Sequence, residues 1–161
     1  MRTPQRVAAI LAISLATLAV FGCSTAPSDS NSQERTSSVS NELRRDPEPM
    51  QKYFPLIGKP VEVFWLGRNN AGGAPGLTTY WVEAVVELEP DTAAALRTGL
   101  VAQAQPPALP DVLRTEVPAG SYVTSPEFDT ALGGSAEWNG TATGYLHTEK
   151  PILVFTATSG G

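Results

Sequence analysis

The chain has 161 residues, a formal net charge of −5, one cysteine and one histidine. An acidic protein gains little by neutralising phosphates, so nucleic acid is not expected as a partner, and anionic lipid headgroups do not attract such a chain electrostatically. A monomer with one cysteine forms no disulfide, so the packing of the core must hold the fold together.

Residues 1–22 have the organisation of a secretory signal. Arg2 and Arg6 precede an uncharged, mostly apolar run at 7–21, as a positive n-region precedes an apolar h-region. This run is about fifteen residues long, shorter than the roughly twenty residues that a membrane-spanning helix needs. The pattern therefore predicts a signal peptide, not a transmembrane anchor.

The end of this run, Val20-Phe21-Gly22-Cys23, resembles the lipobox of bacterial lipoproteins, in which an aliphatic residue, a tolerant position and a small residue precede the acylated cysteine. The resemblance covers residues 1–23 only. It implies cleavage before Cys23, lipid attachment to that cysteine and a location on the outer, periplasmic or extracellular, side of the cell membrane. The alternatives are a buried thiol and an ordinary signal peptide with a chance cysteine.

The segment at 23–49 is expected to be a disordered tether. It is rich in Ser, Thr, Asn and Pro, and so few apolar residues cannot offset the entropy cost of ordering the chain. Residues 41–45 are compatible with a helical turn, which Pro47 and Pro49 are expected to stop. A single globular domain is predicted at 50–161, where the apolar residues become frequent.

Two strands are predicted at the start of this domain, at 61–66 and 78–88, joined as a hairpin. In the second strand, alternation places the even-numbered residues from Tyr80 to Leu88 inward and Trp81 on the opposite face. The segment containing Phe54, Leu56 and Ile57 is a candidate cover for that opposite face.

Helices are predicted after these strands. The main helix follows Pro90, with Asp91 or Thr92 as its N-cap, and a helical turn is compatible with residues 111–114. A short helix is expected with Ser125 as N-cap and Pro126 at its first position, ending at Gly133-Gly134.

A second hairpin is predicted near the C-terminus, with strands at 141–147 and 152–157. The latter strand is apolar on both faces, as a central strand is. The expected fold class is therefore α+β: a small antiparallel sheet of about four strands, with one main helix and one or two short helices.

The sequence contains no recognisable catalytic or metal-binding motif, and no cofactor is expected. His147 lacks partners for a catalytic triad or zinc site, and is expected to be a solvated residue beside a turn. Glu127, Asp129 and Glu137 lie near aromatic residues that could desolvate an acid. The favoured interpretation is that Glu127 and Asp129 oppose a helix dipole.

Trp81 and Trp138 are candidates for an exposed binding surface, although core packing is the usual role of tryptophan. Two functions remain open. The favoured one is a non-enzymatic, lipid-anchored binding or accessory protein, with an envelope protein or glycan as partner. The alternative is a small envelope hydrolase that uses carboxylates between Glu127 and Glu137.

Overall fold

The computed structural model describes residues 42–70 and 78–160. Cys23, the signal peptide and most of the predicted tether lie outside these residues. In chain order the elements are α1 (Pro47–Tyr53), a 3₁₀ turn (Pro55–Ile57), β1 (Glu62–Asn69), β2 (Tyr80–Glu87), α2 (Pro90–Arg97), β3 (Ala102–Ala104), α3 (Asp111–Arg114), β4 (Tyr122–Thr124), α4 (Pro126–Gly133), β5 (Gly140–His147) and β6 (Ile152–Ser159).

The described strands form one antiparallel sheet of six strands in the order β1-β2-β6-β5-β4-β3. The α+β class and both predicted hairpins are confirmed. The expected count of four strands is wrong, because β3 and β4 have only three residues each, too few to show an alternating pattern. Four helices accompany the sheet in the described part of the chain.

One face of the sheet packs against helices α1, α2 and α4. The inward stripe of β2 is confirmed from Val82 to Leu88, whereas Tyr80 is exposed beyond the end of this core. Phe54 and Ile57 belong to the same core, so they cover this face and not the opposite one. The burial of these apolar groups is the main stabilising contribution available to such a fold.

The opposite face is covered by the irregular segment around α3. Leu109, Leu113 and Tyr122 pack there against Phe64, Val85 and Val154. Val85 is only 1% exposed, so β2 is buried on both faces at its middle. This proline-rich segment has no hydrophobic periodicity, so the sequence pattern did not predict that it covers the sheet.

The helix starts agree with the sequence in one case and differ in another. Ser125 caps α4, since its Oγ accepts a hydrogen bond from the Phe128 N–H at 3.1 Å. Helix α2 instead has Glu89 at its N-cap and no side-chain cap, so the assignment to Asp91 or Thr92 is wrong. Pro90 at the first position supplies the helical φ without needing an N–H partner, which starts the helix earlier.

The packed chain begins before the predicted boundary at Met50. Arg44 pairs with Trp65 at the outer edge of β1, through backbone hydrogen bonds of 2.9 and 3.0 Å. Helix α1 then starts at Pro47, so the expectation that Pro47 and Pro49 prevent a helix is wrong. Both prolines lie in the first turn, where a backbone N–H has no intrahelical partner to lose.

Candidate functional site

A pocket of about 460 Å³ lies on the helix-covered face, where β1 and β2 extend toward the hairpin loop. Helix α1 and residues 137–138 border it from the other side. Five of its thirteen lining residues are aromatic: Tyr53, Trp65, Tyr80, Trp81 and Trp138. Its volume lies within the roughly 300–1,000 Å³ typical of ligand pockets.

Trp65 contributes to the pocket from β1. Its indole N–H donates to the Asp46 carbonyl at 3.2 Å, which fixes the ring against the segment before α1. The ring also lies over Gly67, where an added Cβ would be 2.9 Å from the nearest ring carbon. Gly67 therefore allows the indole to lie flat along the strand, which explains a glycine in the middle of β1.

Trp138 is fixed by the turn before β5. Its backbone N–H donates to the Ser135 Oγ at 3.1 Å, and its indole N–H donates to the Thr141 carbonyl at 3.3 Å. The ring contacts Tyr53 edge-on, with centroids 5.9 Å apart. Because both N–H groups are occupied and the residue is only 6% exposed, Trp138 offers the pocket an apolar ring surface.

Tyr53 and Tyr80 supply the hydroxyl groups of this aromatic lining. Tyr80 starts β2 and is 47% exposed, while Tyr53 ends α1 and is half-buried. Neither phenol hydroxyl hydrogen-bonds to another described residue, so each is available as donor and acceptor. The two rings thus combine apolar surface with free polar groups.

The charged groups around the pocket are paired. Arg44 stacks on the Trp65 ring at 3.9 Å and forms an ion pair with Asp46 at 2.6 Å. Lys52 lies 3.4 Å from Glu137 and 5.3 Å from the Tyr53 ring centroid. These pairs leave this part of the rim with no excess of either sign.

The third pair joins Arg68 to the Glu83 Oε2 at 2.7 Å. That oxygen is buried and accepts no well-aligned hydrogen bond from any described residue, so the adjacent guanidinium is what compensates its burial. At Asp46, burial acts to raise the pKa of the carboxyl, but the hydrogen bonds and charge of Arg44 hold that pKa below its ordinary value of 3.8.

Trp81 lies on the opposite side of β2 from Tyr80 and Val82, and is 37% exposed. It borders the pocket at the strand end, and its cross-strand neighbours are Arg68 and Thr158. Of the predicted pair, Trp81 is exposed and Trp138 is buried, and both border the pocket. Trp81 remains a candidate for binding, and Trp138 belongs to the pocket wall.

The three candidate carboxylates lie in separate environments. The Asp129 Oδ1 accepts from the Gly144 N–H at 2.8 Å and joins α4 to β5. Glu137 pairs with Lys52, and Glu127 is exposed in the first turn of α4. These contacts do not place any two of the carboxylates next to each other, as a catalytic acid and base must be.

His147 is buried, at 2% exposed, so the expectation of a solvated side chain is wrong. Its Nδ1 accepts from the N–H groups of Glu149 and Lys150, each at 3.0 Å. Its Nε2 lies 3.3 Å from the Ala119 carbonyl and can donate to it in the tautomer that leaves Nδ1 as acceptor. The imidazole thus ties the β5–β6 turn to the segment before β4.

No group of three or more metal-ligating side chains occurs among residues 42–70 and 78–160. In the same residues, every helix is too short or too polar to cross a bilayer. No protein-family model, curated protein or solved structure matches the chain significantly. The pocket itself therefore carries the functional argument.

Sequence reasoning missed Tyr53, Tyr80 and Arg44 as site residues. Tyr80 belongs to the inward stripe of β2, and only the end of the helical cover separates it from the buried members. The available clue was its position at the very end of that stripe. Tyr53 had no such clue, because its contacts depend on a helix that was not predicted, and Arg44 had none, because its position depends on pairing with the distant Trp65.

Proposed function

We propose that this protein is a lipid-anchored binding protein of the bacterial cell envelope. Cys23 carries the lipid, and the domain captures a ligand in the pocket at the end of β1 and β2 without transforming it. The lipid anchor holds the protein at the membrane, and the pocket binds the ligand.

The observation that carries the proposal is the aromatic pocket of about 460 Å³. Tyr53 and Tyr80 present hydroxyl groups with no partner in the described chain, beside indole rings whose N–H groups are occupied. Such a combination of apolar surface with a few polar groups is characteristic of ligand sites.

The anchor rests on the lipobox resemblance at 20–23. Acyl chains contribute about 0.8 kcal/mol for each buried CH₂ group, so attachment at Cys23 accounts for membrane association without a spanning helix. Location on the outer side follows from the signal peptide.

The contacts of the carboxylates favour binding over the alternative of a hydrolase. Asp129 is committed to the backbone of β5, and Glu137 to Lys52. A hydrolase of the proposed kind needs two carboxyl groups that face one scissile bond. Glu127, Asp129 and Glu137 have no contact with one another that would support such a role.

The anchor is tested by fractionation of intact cells that express the wild-type protein or Cys23→Ala. The variant is expected to leave the membrane fraction or to accumulate as an uncleaved precursor. Cys23→Ala protein that is processed and remains membrane-bound like the wild type contradicts the lipoprotein assignment.

Binding is tested by thermal unfolding of the mature chain in the presence of small molecules extracted from the envelope. A ligand that binds only the folded state raises the melting temperature, and Tyr80→Ala is expected to reduce that rise. Mass spectrometry of the recovered ligand separates the two functions. An unchanged ligand supports binding, and a hydrolysed ligand supports the alternative.

A further inference from the structure

We propose that the pocket binds a neutral saccharide, about one or two sugar rings of an envelope glycan. This inference rests on the proposed function, since it specifies the ligand class of the same pocket. The aromatic surface, the balance of charge and the polar groups each support it.

The aromatic rings suit the apolar face of a sugar. The C–H bonds of a pyranose are polarised by the neighbouring oxygens, and the face of an aromatic ring carries negative partial charge. Tyr80 is the most accessible of these rings, at 47% exposed, and its hydroxyl has no partner in the described chain, whereas Trp138 is 6% exposed and forms part of the pocket wall. A sugar can therefore stack here without breaking an existing hydrogen bond.

The polar groups suit the hydroxyl rim of a sugar. A sugar hydroxyl both donates and accepts, so its site needs donors and acceptors together. The phenols of Tyr53 and Tyr80 provide both, and Glu137 adds acceptor oxygens at the pocket edge. Ser159 donates its hydroxyl proton to the Trp138 carbonyl at 2.5 Å, which leaves its oxygen able to accept.

The charge balance favours a neutral ligand over a cation. Aromatic rings with a nearby carboxylate are also the usual cage for a quaternary ammonium. Here Lys52 already occupies the position between Glu137 and Tyr53, and Arg44 already covers the Trp65 ring. A cationic ligand would have to compete with these two residues, whereas a neutral sugar would not.

The charge balance also disfavours an anionic ligand. Arg44 and Arg68 border the pocket, but Asp46 and Glu83 lie 2.6 and 2.7 Å from their respective guanidinium nitrogens. Because both arginines already have carboxylate partners, a phosphate or carboxylate ligand would have to displace the carboxylates of Asp46 and Glu83.

The test uses the mature chain, residues 23–161, with Cys23→Ser so that it carries no lipid. Cellotriose, maltotriose and chitotriose serve as neutral probes, tetramethylammonium as the cationic probe and inorganic phosphate as the anionic one. Tryptophan fluorescence and saturation-transfer NMR report binding. At least one trisaccharide is expected to bind saturably, with no comparable binding of the two ions.

Three variants locate the site. Tyr80→Ala is expected to weaken trisaccharide binding about tenfold, and Tyr80→Phe much less, because the ring stacks while the hydroxyl adds one hydrogen bond. Val112→Ala is the control, because Val112 is 44% exposed and does not line the pocket, and it is expected to leave trisaccharide binding unchanged. Since Tyr80 lies outside the core, circular dichroism and melting of each variant should match the parent.

Binding of none of the trisaccharides overturns the saccharide assignment, as does saturable binding that Tyr80→Ala leaves unchanged. Tyr80-dependent binding of tetramethylammonium or phosphate also overturns it, but keeps the pocket as a ligand site. If neither these probes nor the envelope extract binds in a Tyr80-dependent way, the proposed function fails as well.

Discussion

The two faces of the sheet are covered in different ways. Helices α1, α2 and α4 pack on one face around a core that includes Phe155 and Leu153. The other face is covered by an irregular, proline-containing segment, which buries Leu113 and Tyr122 against Val154. Regular helices thus form one layer, and a loop with a single helical turn forms the other.

The difference explains where the candidate site lies. On the helical face, the core ends at Val82, while β2 continues to the exposed Tyr80. The ends of α1 and β2 therefore border a space that neither fills, and Trp65 and Trp138 form part of its wall. Because the helical layer is rigid and ends before the strands do, it leaves a preformed pocket. An irregular loop in the same place could have moved in and filled this space.

The largest expected difference is between core truncations on the two faces. Phe155→Ala removes a fully buried ring that contacts Phe54 edge-to-face, with centroids 4.7 Å apart. It is expected to lower the free energy of unfolding by about 3–5 kcal/mol. Leu113→Ala is expected near the lower end of the roughly 2–5 kcal/mol typical of Leu→Ala, because the loop can relax into the cavity.

Urea denaturation of both variants measures this difference. An equal or larger loss for Leu113→Ala would mean that the loop layer is packed as rigidly as the helical layer. The explanation of the pocket by the rigidity of its face would then lose its basis.

The next largest effects are expected from truncating side chains that alternate between the two faces of β2. Val86→Ala on the helical face is expected to cost about 1–3 kcal/mol. Val85→Ala is expected to cost a similar amount, because its side chain is equally buried on the loop face. Glu87→Ala should stay within about 0.5 kcal/mol. Chemical denaturation ranks the three variants, and a loss for Glu87→Ala as large as for Val86→Ala would contradict the register.

This comparison also shows what the sequence could reveal. The period of two identified both hairpins and the inward stripe of β2, and the Ser125-Pro126 pair identified the start of α4. Local patterns of this kind depend on neighbouring residues, so they can be read without knowledge of the fold.

The remaining features depend on distant contacts. The loop layer at 105–120 has no periodicity, and α1 begins with the sequence Pro-Glu-Pro, which is unusual for a helix. The pocket joins Tyr53, Tyr80 and Trp138, which come from three separate segments. No local pattern places such residues together, so the chemistry of the site became visible only with the fold.

Removing a single side-chain hydrogen bond on either face is expected to lower the free energy of unfolding by less than the core truncations do. Asp129→Ala leaves the buried Gly144 N–H without its acceptor and is expected to cost about 1–3 kcal/mol. Asp129→Asn retains an acceptor oxygen and serves as the control. On the loop face, Tyr122→Phe removes the bond from the phenol to the Pro118 carbonyl, 2.7 Å long, and is expected to cost about 0.5–1.5 kcal/mol.

Equilibrium unfolding in guanidinium at neutral pH measures the loss of stability in the Asp129 and Tyr122 variants. Burial raises the pKa of Tyr122 above 10.0, so the unfolded chain ionises first as the pH rises. The stability that depends on the neutral phenol is then lost from about pH 10 upward, and Tyr122→Phe should lack this part of the decline. An unchanged alkaline decline in Tyr122→Phe would show that other groups cause it.

The smallest effect is the pH dependence at the pocket rim. The pKa of Asp46 is lower in the folded chain than its ordinary value of 3.8, so its carboxylate stabilises the fold above that value. This contribution is lost as the pH falls through the lower, folded pKa. It should be small because the pair with Arg44 is partly exposed.

Thermal unfolding of the wild type and Asp46→Asn from pH 6 to pH 2.5 measures this contribution. The difference between the two proteins is expected to shrink toward the acidic end. A difference that is constant, or that grows on acidification, would contradict the assigned direction of the pKa shift.

The central claim is that the ligand binds on the helical face, and the three tryptophan indole N–H signals test it directly. In a ¹⁵N-labelled mature chain, each signal can be assigned by a Trp→Phe substitution and followed during titration with a neutral trisaccharide. The signals of Trp65 and Trp138 are expected to shift together and to saturate at one ligand concentration, while Trp81 shifts least. A saturating shift of Trp81 alone would contradict the claim and place the site on the opposite face.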